Sequence, residues 1–140
     1  MKKVVSFANL DYLVMADGKM PSTVNTVGKI VMSTRTKTEK VLKFLVDLSV
    51  KHGEVRNELE QKLQGVLKDL IDKYGTEEEK IAGKLKEDSP NVEALKAEWE
   101  GIYSKTMQTE VEVDFSIEKD LFDKEKLSAE QLNAVNTMFA

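Results

Sequence analysis

Apolar residues recur at helical spacing through the longest patterned stretch of this sequence. Steps of three or four residues from Val27 reach fourteen positions up to Tyr74, and eleven of them are apolar. The mean step is close to the roughly 3.6 residues of one α-helical turn. Pro21 suits a first helical turn, and Gly75 suits a left-handed residue just beyond a helix end. The pattern therefore predicts one long amphipathic helix over residues 22–74.

Two places inside this predicted helix have poor intrinsic helix propensity. Gly53 costs about 1 kcal/mol relative to alanine in a helix interior and permits a bend. The apolar spacing passes Gly53 undisturbed, so a continuous or gently kinked helix is favoured over a tight turn. The segment Ser33–Thr38 is rich in hydroxyl and β-branched side chains, and we expect tertiary packing to hold it helical.

Further helices are predicted after the long one. Residues 77–87 begin with three glutamates after a threonine, which indicates a short acidic helix. Residues 91–105 place apolar side chains on one face and predict a helix that returns along part of the long one. Ser128 and Gln131 have the spacing of a capping box, so a terminal helix is predicted over 128–138.

Two short segments have the pattern of β-strands. Residues 109–117 alternate strictly between apolar and polar side chains, and residues 3–7 are rich in β-branched and aromatic side chains. Because an isolated strand cannot satisfy its backbone, we expect these two segments to pair. A short helix is predicted between Asn9 and Met15. The fold class is therefore mainly α, a helical hairpin or bundle with a small two-stranded β element, in a single domain over residues 1–140.

Composition limits the class of protein. The chain is 41% hydrophobic and 33% charged, as in folded soluble domains. It contains no apolar run long enough to span a membrane and no pattern of a signal peptide. It contains no cysteine, which fits a reducing cytoplasm. We therefore expect a protein without membrane association.

Charge is distributed unevenly along the chain. Residues 1–53 carry nine basic and four acidic side chains, a net charge of +5, while residues 54–140 carry twelve and twenty-one, a net charge of −9. The favoured interpretation is that the two halves attract one another, within one chain or between chains. The alternative is a polyanion site in the basic segment 29–43. Its candidate contacts are Lys29, Arg35, Lys37, Lys40 and Lys43.

The sequence offers little material for catalysis. Its single histidine, His52, falls among the apolar positions of the long helix, where a packing role is favoured over that of a general base. None of the seven glycines belongs to a phosphate-binding loop pattern. The consecutive acids Glu77–Glu79 point in different directions on a helix and make a poor cation site. We therefore predict that the protein is not an enzyme and has no cofactor and no metal.

Short motifs distributed along most of the chain carry a resemblance. They are Lys19-Met20-Pro21, Lys73-Tyr74-Gly75 followed by acids, Thr109-Glu110-Val111-Glu112, and Leu127-Ser128 leading to Leu132 and an apolar end. In this order they resemble a family of small uncharacterised helical-hairpin proteins encoded by tailed bacteriophages. The resemblance implies phage origin, location in the host cytoplasm or the virion, and a small accessory role without chemistry.

The expected function is that of a non-catalytic interaction protein. It would be a virion or assembly component or a binder of a host protein; the alternative is a nucleic-acid-binding regulator that uses the basic segment 29–43. Because the returning helix has too few apolar residues to cover the long one, we also expect a homo-oligomer. The residues predicted at the interface are Val41, Leu45, Leu48, Val55, Leu59, Leu63, Val66, Met138 and Phe139.

Overall fold

A computed structural model describes residues 2–15 and 22–140 and is 69% helical. The predicted mainly helical fold, with a long helix, returning helices and a small antiparallel sheet, is confirmed. The chain groups into two compact units, one formed by Met1–Glu54 with Glu110–Ala140 and one formed by Val55–Thr109. The elements in chain order are β1 (Lys2–Ser6), α1 (Phe7–Val14), α2 (Thr23–Gly28), α3 (Arg35–Tyr74), α4 (Glu77–Ala82), α5 (Val92–Met107), β2 (Glu110–Asp114) and α6 (Ala129–Met138), with 3-10 turns at Lys119–Leu121 and Lys124–Lys126.

The predicted pairing of the two strands is found in the first unit. β1 and β2 are antiparallel, with Lys2 opposite Asp114 and Val4 opposite Glu112. β2 is shorter than the predicted 109–117, and β1 has the predicted length but begins and ends one residue earlier than 3–7. β1 ends at Ser6 because the Ser6 hydroxyl accepts a hydrogen bond from the backbone N–H of Asn9 at 3.2 Å and so begins α1.

The long helix begins later than predicted. The prediction of one helix over 22–74 is wrong at its start, since α2 ends at Gly28 and α3 begins only at Arg35. The Thr34 hydroxyl accepts a hydrogen bond from the backbone N–H of Lys37 at 3.2 Å and satisfies a donor that a preceding turn would otherwise have bound. The hydroxyl-rich segment therefore supplies a helix start and not a packed helix interior. Pro21 lies outside the described residues.

From Arg35 onward, α3 is one helix of 40 residues that runs through Gly53 without a break. Beyond the adjoining residues and the nearby backbone of α3, a Cβ atom built at Gly53 meets no atom of the described residues within 4 Å. The favoured prediction of a helix that continues past this glycine agrees with these bounds. Gly53 thus lies in a helical conformation with open space beside it.

Replacing Gly53 by alanine is expected to stabilise the protein by about 0.5–1 kcal/mol, because alanine fits the helix and restricts the unfolded chain. Gly83→Ala is the matched contrast. Gly83 has a φ of 76°, so an added Cβ is strained there even though the space is open. Urea denaturation of both variants at low protein concentration, where association between copies does not contribute, measures the direction of each stability change. A destabilised Gly53→Ala variant would mean that the helix bends at this residue.

The end of α3 does not use a left-handed glycine. The prediction for Gly75 is wrong, because the only glycine with a positive φ among the described residues is Gly83. Gly75 is required for a different reason: a Cβ there would lie 2.6 Å from the carbonyl oxygen of Ile71. Gly83 ends α4 at Ala82, so the predicted helix over 77–87 is too long at its end.

The core of the first unit lies between the sheet, the beginning of α3 and α6. Phe44 of α3 contacts Phe115, whose ring centroid lies 5.2 Å away, and Phe115 contacts Phe139 at 5.7 Å. Ser128 and Gln131 form the capping box predicted for α6, since each side chain accepts a hydrogen bond from the other residue's backbone N–H. Helix α2 packs on α6 and on α1.

The second unit is held by hydrogen bonds to two glutamates. The buried carboxylate of Glu79 accepts the backbone N–H groups of Thr76 at 3.0 Å and Lys86 at 2.7 Å, and these bonds lower the pKa of Glu79. Glu98 of α5 accepts the Tyr74 hydroxyl at 2.5 Å, which lowers the pKa of Glu98. These bonds fix the loop after α4, and they link α5 to the end of α3.

Candidate interaction surface

Three large apolar side chains of α3 lie on its solvent side in the first unit. Leu42, Val46 and Val50 are 45%, 60% and 54% exposed. Residues four apart are neighbours on one side of a helix, so the three form a continuous apolar surface. We call Leu42, Val46 and Val50 the outer stripe.

Two small residues extend the surface of the outer stripe. Ser49 and Gly53 lie three or four residues from stripe positions and so share the same side of α3. Apart from the adjoining residues and the nearby backbone of α3 itself, no atom of the described residues lies within 4 Å of where a Cβ at Gly53 would be. A second backbone can therefore approach α3 closely at the Gly53 end of the stripe.

Charged side chains border the outer stripe on one flank. Lys43 lies beside Leu42, and Glu54 lies beside Gly53; both are exposed. They are eleven residues apart, which is close to three helical turns of about 3.6 residues each, so they project on the same flank. The surface thus has a cation toward one end and an anion toward the other.

The residues predicted at an interface do not belong to the outer stripe, and most of them are buried or half-buried. Val41, Leu45, Leu48 and Met138 are buried in the first unit and are covered by their own chain. Leu59 is buried in the second unit. The remaining four, which are half-buried, are Val55, Leu63, Val66 and Phe139.

Sequence reasoning missed the outer stripe, although the signal was present. Leu42, Val46 and Val50 repeat every four residues, but the count from Val27 followed the other helical face. When a helix has apolar residues on two faces, one face is buried in the core of its own chain and the other remains exposed. The second face is the one that a partner can reach.

The basic residues of segment 29–43 lie in different elements and on different sides of α3. Lys29 lies just after α2, whereas the others belong to α3. Arg35 donates from Nε to the carboxylate of Glu39 at 3.0 Å, so part of its charge is compensated. Successive positions of Lys37, Lys40 and Lys43 turn around the helix. The five basic residues therefore do not all share one side of a helix.

His52 is a packed and satisfied side chain. It is 3% exposed, and its ring stacks on Phe7 with centroids 5.5 Å apart and planes 7° from parallel. Its Nε2 lies 2.7 Å from Oδ1 of Asp11. Because a carboxylate only accepts, Nε2 carries the hydrogen and donates it. The ring nitrogen is therefore directed into a hydrogen bond within the core and away from solvent.

Two open clefts adjoin Lys3 in the first unit, with volumes of about 310 Å³ and 450 Å³. The Lys3 ammonium lies over the Phe115 ring, 5.6 Å from its centroid, and donates to the backbone carbonyl of Ala140. The Lys3 ammonium, which could otherwise bind an anionic ligand in these clefts, is therefore already in contact with groups of its own chain.

Across residues 2–15 and 22–140, no group of three or more His, Cys, Asp or Glu side chains is arranged to hold a metal ion. In the same part of the chain, no helix combines the length and apolar character needed to cross a membrane. Comparison with known protein families, curated proteins and solved structures finds no match. The outer stripe is thus the feature that the geometry offers as a functional site.

Proposed function

We propose that this chain is a non-catalytic interaction protein that binds another protein through the outer stripe. The observation that supports this most directly is the exposure of Leu42, Val46 and Val50 on one side of the longest helix. Burying apolar surface contributes about 25 cal/mol per Å², so a contiguous patch on a rigid helix is a favourable docking site. A helix face with four-residue spacing suits recognition by another helix.

The proposed biological setting is that of a tailed phage. The resemblance of the motifs at Lys73-Tyr74-Gly75 and Thr109-Glu110-Val111-Glu112 to small phage proteins supports it. In this setting the protein is a virion or assembly component, or a factor that binds a host protein. It works in the bacterial cytoplasm or in the virion, and it associates with copies of itself.

A nucleic-acid-binding regulator is the second candidate. The exposed Lys40 and Lys43 support it, together with the net charge of +5 over residues 1–53. Binding to a polyanion weakens steeply with salt because counterions are released. Retention on immobilised heparin that falls steeply with ionic strength favours this second candidate, and absence of retention at low salt eliminates it.

The experiment for the first candidate uses the outer stripe and a matched control. Val46→Glu places a charge in the middle of the stripe, and we expect it to reduce association with the phage particle or host target at least about tenfold. Val31→Glu makes the same change at a side chain that is 92% exposed and outside the stripe, so association stays unchanged. The readouts are the amount of protein in purified virions and the affinity for a host protein identified by capture.

Two outcomes of this experiment contradict the proposal. In one, wild-type protein is absent from virions and captures no host protein. In the other, Val46→Glu and Val31→Glu reduce association equally. Circular dichroism of both variants verifies that each is folded.

A further inference from the structure

We propose that the outer stripe binds the outer stripe of a second copy of this chain, with the two α3 helices antiparallel. This inference rests on the proposed function, since it names the partner of the same surface. The inference is argued from the sizes of the side chains along the outer stripe and from the charges of Lys43 and Glu54 beside it. Sizes and charges of two copies complement each other only when the two helices are antiparallel.

Size is the first argument. In an antiparallel pair whose two-fold axis passes near residue 48, Val46 of one copy lies opposite Val50 of the other. The same register brings Leu42 to the open space beside Gly53 of the second copy. Leu42, the largest side chain of the outer stripe, thus meets Gly53, which has no side chain, and the two-fold symmetry repeats this contact at the other end of the pair. In packed helices, a large side chain of one helix commonly fits into a space on the surface of the facing helix in this way.

Charge is the second argument. With the axis near residue 48, Lys43 of one copy lies beside Glu54 of the other, and the two-fold symmetry repeats this pair. In a parallel two-fold pair, the flanks that carry Lys43 and Glu54 lie on opposite sides of the interface, so Lys43 of one copy does not reach Glu54 of the other. The attraction between opposite charges is available only to the antiparallel arrangement. The borders of the stripe therefore select the antiparallel dimer.

The absence of cysteine from the sequence permits a direct test with single introduced thiols. A disulfide requires Cα atoms within about 7 Å. Ser49→Cys lies near the proposed axis, so two copies are expected to cross-link rapidly under mild oxidation. Leu42→Cys lies about 12 residues from its own counterpart across the axis, roughly 18 Å along the helix, and is expected not to cross-link.

Charge reversal tests the same register in solution without oxidation. We expect sedimentation equilibrium to show a wild-type dimer, and Lys43→Glu to weaken dimerisation about tenfold or more. The double variant Lys43→Glu with Glu54→Lys restores the dimer because the pair is re-formed with opposite sign. Lys124→Glu changes an exposed lysine outside α3, so it is the control and leaves the dimer unchanged.

Each outcome decides the inference. Efficient cross-linking of Ser49→Cys but not Leu42→Cys, with rescue by the double charge reversal, supports it. A wild-type monomer of 15.8 kDa at high micromolar concentration overturns it, as does equal cross-linking of both thiols. If the chain is monomeric but Val46→Glu still loses the virion or host protein, only the self-pairing is wrong. If the chain dimerises but shows neither association, the proposed function is wrong and the dimer remains.

Discussion

Replacing Leu48 by alanine is expected to destabilise the protein by about 2–5 kcal/mol, whereas Leu42→Ala should change the stability by no more than about 0.5 kcal/mol. The two leucines lie on the same helix, six positions apart, and undergo the same chemical change. Leu48 is 2% exposed in the core of the first unit, and Leu42 is 45% exposed on the outer stripe. Truncation leaves a cavity at the first position and an unfilled surface at the second.

Urea denaturation at low protein concentration measures both leucine variants without a contribution from self-association. The concentration dependence separates a core leucine from an interface leucine, because only an interface couples stability to the amount of protein. We expect the loss in Leu48→Ala to be the same at all concentrations. A loss that grows as the protein is diluted would place Leu48 at the interface, as the spacing along the sequence predicts.

Replacing His52 by alanine is expected to cost about 2–5 kcal/mol, the range for removing a large buried side chain. The change removes the stacking on Phe7 and the hydrogen bond to Asp11. His52→Leu fills much of the same volume but makes no hydrogen bond, so its cost should be smaller than that of His52→Ala. Thermal or urea unfolding at a fixed pH measures the order of the two variants.

Asp11 supplies the control for the His52 prediction. The Asp11 side chain is 35% exposed, so water can replace part of its hydrogen bonding and Asp11→Ala should cost less than His52→Ala. In a double-mutant cycle the two losses should be less than additive, since both remove the same bond. Full additivity would show that the 2.7 Å contact contributes nothing to stability. An unchanged His52→Ala variant would contradict the packing role altogether.

The elements that the sequence predicted well have local signals. The alternation around Val111 and Val113 defines a strand whatever surrounds it, and the capping box at Ser128 and Gln131 marks a helix start. The partner of the strand could be inferred because only one other segment had strand character. These parts of the fold required no knowledge of tertiary packing.

The errors have physical causes at particular residues. Val31 falls in phase with the apolar positions of α3, yet it is 92% exposed in the connection before the helix. Periodicity alone cannot detect the Thr34 hydroxyl that starts the helix there. The sequence predicts a left-handed conformation for Gly75, whereas a side chain there is excluded by close approach to the carbonyl oxygen of Ile71.

The candidate site was harder to predict than the fold. Sequence periodicity identifies which positions of α3 share a face, but the surrounding elements decide which face is covered. The face with Leu45 and Leu48 is buried in the first unit, and the face with Val46 is exposed to solvent. Only the tertiary structure makes that distinction.

The pairing of β1 with β2 has a consequence for how the chain folds. Lys2 and Asp114 are partners in the sheet although more than a hundred residues separate them in sequence. The whole of the second unit falls between the two strands in chain order. During synthesis β1 is made early, but it has no partner until β2 has left the ribosome. Contacts this distant in sequence form slowly because a large loop must be closed first. The helices of residues 55–109 therefore have time to fold before the sheet closes, and the edge of β1 is open to other chains throughout that interval.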